Sequence, residues 1–175
     1  MQSENVRLIE PCVELEAEFM AMVEEFVGAG EHKTWQYEQA IEDFGKYVQD
    51  RLDWKEGKSM PDGWVPESTF WLTRGDNVIV GTSSLRHKLT KHLRNIGGHI
   101  GFNIRPSERQ KGYGTAILAL TLEKARQFGL RRVLVTCDDN NIASAKIIEK
   151  NGGILEDKYS NDKLEQHKRR YWIEL

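Results

Sequence analysis

Apolar positions recur along the chain at two spacings. Leu15, Phe19, Met22 and Phe26 fall three or four residues apart, which predicts a helix stopped by Gly28 and Gly30. Tyr37, Ile41, Phe44, Val48 and Leu52 mark a second helix by the same test. Ahead of both, Val6-Arg7-Leu8-Ile9 reads as a short strand ended by Pro11. Residues 57–66 carry Gly57, Pro61, Gly63 and Pro66 and read as a loop. Thr69-Phe70-Trp71-Leu72-Thr73 is a strand, Arg74-Gly75-Asp76-Asn77 a turn, and residues 78–85 the returning strand of a hairpin. Residues 87–95 are basic and expected at the surface. Residues 97–104 form another strand, closed by Arg105-Pro106. A helix follows over 115–128, then the β-branched strand Val133-Leu134-Val135-Thr136. A helix over 141–150 has Asn141 as its cap and Asn151-Gly152-Gly153 at its end. Ile154-Leu155 and Arg170-Tyr171-Trp172-Ile173 give two late strands. Strands and helices thus mix in an α/β or α+β class with a mixed sheet.

Composition narrows the function classes. At 175 residues the chain suits one domain, spanning 1–175. With 39% hydrophobic and 30% charged residues it can build a core and is not a disordered segment. The charge sum, 25 − 27 = −2, leaves no nucleic-acid footprint. No apolar run approaches the ~20 residues of a membrane helix, so no membrane partner is expected. The first five residues lack the basic and apolar regions of a signal peptide. Cys12 and Cys137, the only cysteines, form no metal-spaced pair, which fits a cytoplasmic location and no metal.

One segment carries candidate chemistry. Arg109-Gln110-Lys111-Gly112-Tyr113-Gly114-Thr115 follows a strand and opens a helix. Glycines there let the backbone turn tightly and let a ligand approach it. The first N–H groups of a helix have no partner within it, and the dipole favours an anion beside them. The loop can cradle a pyrophosphate, with Arg109 and Lys111 adding charge. A glycine pair before a helix also builds ordinary turns. The spacing is neither a Walker loop nor a complete dinucleotide fingerprint.

The run from Asn103 through Ile104, Pro106, Arg109 and Gly112 to Gly114 resembles motif A of the GNAT acyltransferases, a strand ending in V/I-x-P followed by R/Q-x-x-G-x-G/A. Downstream, Asn141, Ser144, Ile147, Glu149, Lys150 and Gly152 resemble that family's motif B, N-x-x-A/S-x-x-L-Y-E-K-x-G-F. The order of elements resembles the family over nearly the whole chain. The resemblance implies a mostly antiparallel sheet of about seven strands flanked by helices. It implies acetyl-CoA as acyl donor and a primary amine as acceptor, joined by direct transfer in a ternary complex, and it is compatible with a homodimer. Backbone N–H groups of Gln110, Lys111, Gly112, Tyr113, Gly114 and Thr115 would hold the pyrophosphate. Pantetheine would pair with the strand ending at Ile104 as an added strand does. Asn141, and less directly Ser144, would reach the pantetheine or thioester.

The family's motif B tyrosine, often its general acid, falls at Ile148, which carries no proton to give. Tyr159 and Tyr171 are substitutes by residue type. His99, on the strand leading into the loop, is the candidate general base, the role a carboxylate on this strand often has in relatives. A structural histidine is the other reading of it. Glu108 reads as a surface carboxylate, and Glu24 and Glu25 as an exposed helix face. The acceptor is expected among the N-terminal helices, residues 28–33, 57–66 and the basic segment, with Trp35, Trp54 and Trp64 as walls or as core caps. The Ile148 departure also keeps open a CoA-sensing module without catalysis, or a transferase with another acyl group. An ordinary turn at the glycines would instead leave an interaction domain.

Overall fold

The computed structural model describes residues 5–31, 34–75, 77–160 and 167–175. Asp76 of the predicted turn, Lys33 and the side chain of Trp35 lie outside the described residues. Strands β1 (Val6–Ile9), β2 (Glu67–Arg74), β3 (Val78–Arg86), β4 (Ile100–Ile104), β5 (Arg132–Asp138), β6 (Ile154–Tyr159) and β7 (Lys168–Glu174) make one sheet in the order β1-β2-β3-β4-β5-β7-β6. Every neighbouring pair is antiparallel except β4 and β5. Among the described residues no helix is long and apolar enough to cross a membrane.

Helices α1 (Glu16–Gly28), α2 (Thr34–Glu42) and α3 (Phe44–Lys55) cover one face of the sheet. Phe19, Met22, Val23 and Phe26 line the buried side of α1, at the spacing the sequence shows. Phe19 stacks obliquely on Trp71 of β2 at 4.9 Å between centroids. Alternation along the hairpin sends Trp71 and Ile79 to this face, and Leu72 and Val80 to the other. There α5 (Tyr113–Gln127) and α6 (Ile142–Lys150) pack on Leu85, Ile100, Val133 and Val135.

Three differences from the expected elements have physical causes. The second predicted helix is two helices, because Asp43 leaves the helical conformation (φ −153°) and its carboxylate accepts the Lys46 N–H at 2.8 Å, capping α3. Ile41, counted towards that helix, is exposed. The basic segment contains a short helix, α4 (Lys91–Asn95), capped by the Thr90 hydroxyl. The strand expected over 97–104 is regular only from Ile100, and its first residues take a separate role beside β5.

Candidate active site

The two edges of β4 differ. Along β3 its register is continuous, Gly81 opposite Ile104 through Leu85 opposite Ile100. The bonds from Arg105 N–H to Val80 and from Arg86 N–H to His99 show that odd-numbered residues of β4 turn their amides to β3. Even-numbered residues turn theirs to β5. The β5 register holds only the pair Ile100–Val135, where a continuing ladder would go on to join Phe102 with Thr136 and Asp138. Phe102 and Ile104 therefore present amides to a widening gap.

That gap continues into a cleft of about 630 Å³. Of the residues expected at the donor site, Ile104, Arg109, Gln110, Gly112, Gly114, Thr115, Asn141 and Ser144 line it. Lys111 does not: its ammonium bonds Glu108 at 3.0 Å. Tyr113 is buried and packs on Leu72 and Ile117. Gln110 is left-handed at φ 62°, and Gly112 caps α5 at φ 92°. Among the described residues the amides of Gln110, Lys111 and Gly112 find no acceptor in the protein. The space a Cβ at Gly112 would occupy is open. Orphaned donors at a helix start, with open space before them, fit a pyrophosphate. Gly114 has a different reason: a Cβ there would meet Ile147 Cδ1 at 2.5 Å, so this glycine lets α6 approach α5. On α6 the Asn141 side-chain oxygen caps the helix by accepting the Ser144 N–H at 3.0 Å, and its NH₂ is the end left for a ligand.

Carboxylates on and after α1 hold the segment before the loop. Glu25 accepts from the Arg105 side chain at 2.6 Å and from the Ser107 N–H at 3.0 Å; Glu18 takes another Arg105 N–H. Glu25 is thus a tie rather than a free exposed face. Burial alone would raise its carboxyl, but the bonds from Arg105 and Ser107 outweigh burial and hold it below the usual range. Glu31 grips Arg109 bidentately at 2.6 and 2.9 Å, and Arg109 Nε bonds the Ile104 carbonyl at 3.1 Å. Glu108 is buried, not a surface group, between Arg74 and Lys111.

His99 lies at the opposite end of β4 and does not line the cleft. Its N–H donates to the Leu134 carbonyl at 2.7 Å, and its Nδ1 accepts the Leu134 N–H at 2.8 Å. A backbone N–H can only donate, so the proton of the neutral ring sits on Nε2. The ring then has no lone pair left to take a proton. Burial, then the nearby Arg86 and Arg94 charges, push its pKa down to about 4. This geometry departs from the expected general base.

Ile148 is fully buried in the core beneath α6. Tyr171 donates to Glu149 at 3.0 Å, and Tyr159 accepts from Asn95 at 3.3 Å; neither lines the cleft. Burial pushes the Cys137 thiol up to about 11. Trp54 is core, packed 5.1 Å from the more exposed Trp64 at the far end of the sheet. Among the described residues no cluster could hold a metal ion.

Residues 9–154 match the family model described as the acetyltransferase (GNAT) domain. The chain belongs to the GNAT acetyltransferase family. As a GNAT acetyltransferase it is an enzyme that uses acetyl-CoA as acyl donor. No curated protein matches it in sequence. Solved structures share its fold. One is the ribosomal-protein alpha-N-acetyltransferase RimL in complex with coenzyme A (16% identity, TM-score 0.74, 99% of this chain and 96% of that one). Another is the microcin self-immunity acetyltransferase MccE with acetyl-CoA and AMP (14%, 0.71, 99% and 94%). A third is spermidine N-acetyltransferase from Vibrio cholerae with CoA and spermine (13%, 0.64, 97% and 95%).

Asn103 and Ile147, which lie in the two motif runs without an assigned role, also line the cleft, as do Glu31, Phe102, Ala143 and Lys146 outside the motif matches. Period-2 alternation could have placed Phe102 and Asn103 on opposite faces of β4. Glu31 has no local signal, since a long-range contact brings it to Arg109.

Proposed function

We propose that this GNAT acetyltransferase moves the acetyl group directly from acetyl-CoA to an amine in a ternary complex. The observation that carries this reading is the open β4 edge running into orphaned amides at the start of α5. Pantetheine extends that edge as an added strand, and Gln110, Lys111 and Gly112 hold the pyrophosphate. The N–H of Phe102 or Ile104 donates to the thioester oxygen as charge develops there. The acceptor approaches over the opposite face, where Thr82, Gly101, Asn103 and Thr136 are half-buried. Its nitrogen attacks the carbonyl carbon, the C–S bond breaks, and the amine proton passes to water. A thiol with an ordinary pKa of ~8.5 leaves as thiolate without a dedicated acid.

Cys137, buried and with its thiol raised, is a poor nucleophile, which supports direct transfer over an acyl-enzyme. An α-amine, with pKa ~7.7–8.0, is far more often neutral at pH 7 than a lysine at ~10.4, so it needs the least help from a base. Cys12 and Cys137 are free thiols, which supports a cytoplasmic setting. The uncovered strand β6, with Ile154 and Leu155 exposed, offers a surface for a second copy.

The test is release of CoA thiol from acetyl-CoA across peptide α-amines, lysine side chains and polyamines. Turnover with an α-amine above the others is the expected result. Binding of acetyl-CoA without turnover on any of them would favour the sensing module that the isoleucine at position 148 motivates.

A further inference from the structure

The junction where β4 and β5 part is built from a side chain. A parallel ladder reaching Leu134 would offer its N–H the carbonyl of residue 98. That carbonyl is turned away and accepts from Arg86 Nη1 at 3.1 Å, as does the Gly97 carbonyl at 3.2 Å. Arg86 is itself held by Glu67 at 3.1 Å. The imidazole of His99 fills the vacated place, and the Gly97 N–H goes to the Thr136 hydroxyl at 3.0 Å. Gly98 permits this crossing: at φ 63° its absent Cβ would lie 2.4 Å from the Leu134 carbonyl oxygen. His99 is buried, and its ring meets Trp172 edge-on at 6.3 Å between centroids.

We infer that His99 is a positioning residue that stops the β4–β5 ladder at Ile100 and so keeps the Phe102 and Ile104 amides open for the acyl donor. This rests on the donor site proposed above. With Leu134 satisfied by a ring rather than by a strand carbonyl, β4 leaves β5 at an angle. Zipping one step further would bond Phe102 to Thr136 and remove the donor's edge. His99 therefore acts on the donor through the strands, without touching it.

The experiment is calorimetric titration with acetyl-CoA of the wild type and of H99N, H99Q and H99A, with hydrogen exchange at the Leu134 amide. The Asn oxygen stands where Nδ1 stands and can accept the Leu134 N–H; the Gln oxygen, one bond further out, cannot. H99N should bind like the wild type and keep Leu134 protected. H99Q and H99A should bind about tenfold more weakly and lose that protection, as expected for a buried donor left unsatisfied. If H99A does not fold, H99N against H99Q carries the comparison. Equal affinity of H99N and H99Q, or an H99N as weak as H99Q, overturns the inference while leaving the donor site intact. Failure of the wild type to bind acetyl-CoA overturns the donor site and this inference together.

Discussion

Strand β4 is paired along its whole length on one side and at a single residue on the other. Towards β3 the register runs unbroken from Ile100 to Ile104, and the odd-numbered residues of β4 turn their amides into that ladder. Towards β5, the same strand is stitched by His99 and then left open. The paired side holds the open edge in a fixed place, so that on the proposed donor site acetyl-CoA would meet amides already aimed.

Substitutions can break either side selectively. The largest expected effect is Gly112→Glu on the open side. A carboxylate before the orphaned amides should cost more than about 100-fold in acetyl-CoA affinity, read by calorimetry. The melting temperature should fall by only a few degrees, as a left-handed non-glycine residue costs about 1–2 kcal/mol. On the paired side, Gly81→Ala puts a methyl 2.5 Å from the Asn103 carbonyl oxygen. It should cost about 2–3 kcal/mol in denaturant unfolding, and donor binding should fall only as far as β4 shifts.

The junction has a pH signature. His99 has its folded pKa depressed from 6.5 to about 4, so the unfolded chain binds the proton more readily. Its contribution is complete above pH 6.5 and is lost as pH falls towards 4. That loss should amount to about 3 kcal/mol in wild-type unfolding and be absent from H99N. The smallest effect concerns the cleft wall. Glu31→Gln frees Arg109 while leaving it bonded to Ile104, so acetyl-CoA should bind about two- to threefold more tightly at low salt. Equal affinities at low salt would show that Arg109 faces no phosphate.

The hairpin, α1, α5 and α6 were legible in the sequence because their burial follows from local periodicity. The donor loop was legible because a glycine at a positive φ before a helix leaves a local pattern. The split at Asp43 was not, since a capping aspartate is also an ordinary mid-helix surface residue. Nor were the ties of Glu25 to Arg105 and Glu31 to Arg109, which join residues about 80 apart in sequence. His99 was visible as a histidine on the right strand, but its role depends on Leu134 lying against it. Only the fold brings that neighbour into place.

The most direct test of the donor site is calorimetry of the wild type and Gly112→Glu with acetyl-CoA and with free CoA. Binding of both ligands by the wild type, with loss of both in the variant, is the predicted result. No binding by the wild type, or undiminished binding by the variant, would contradict it.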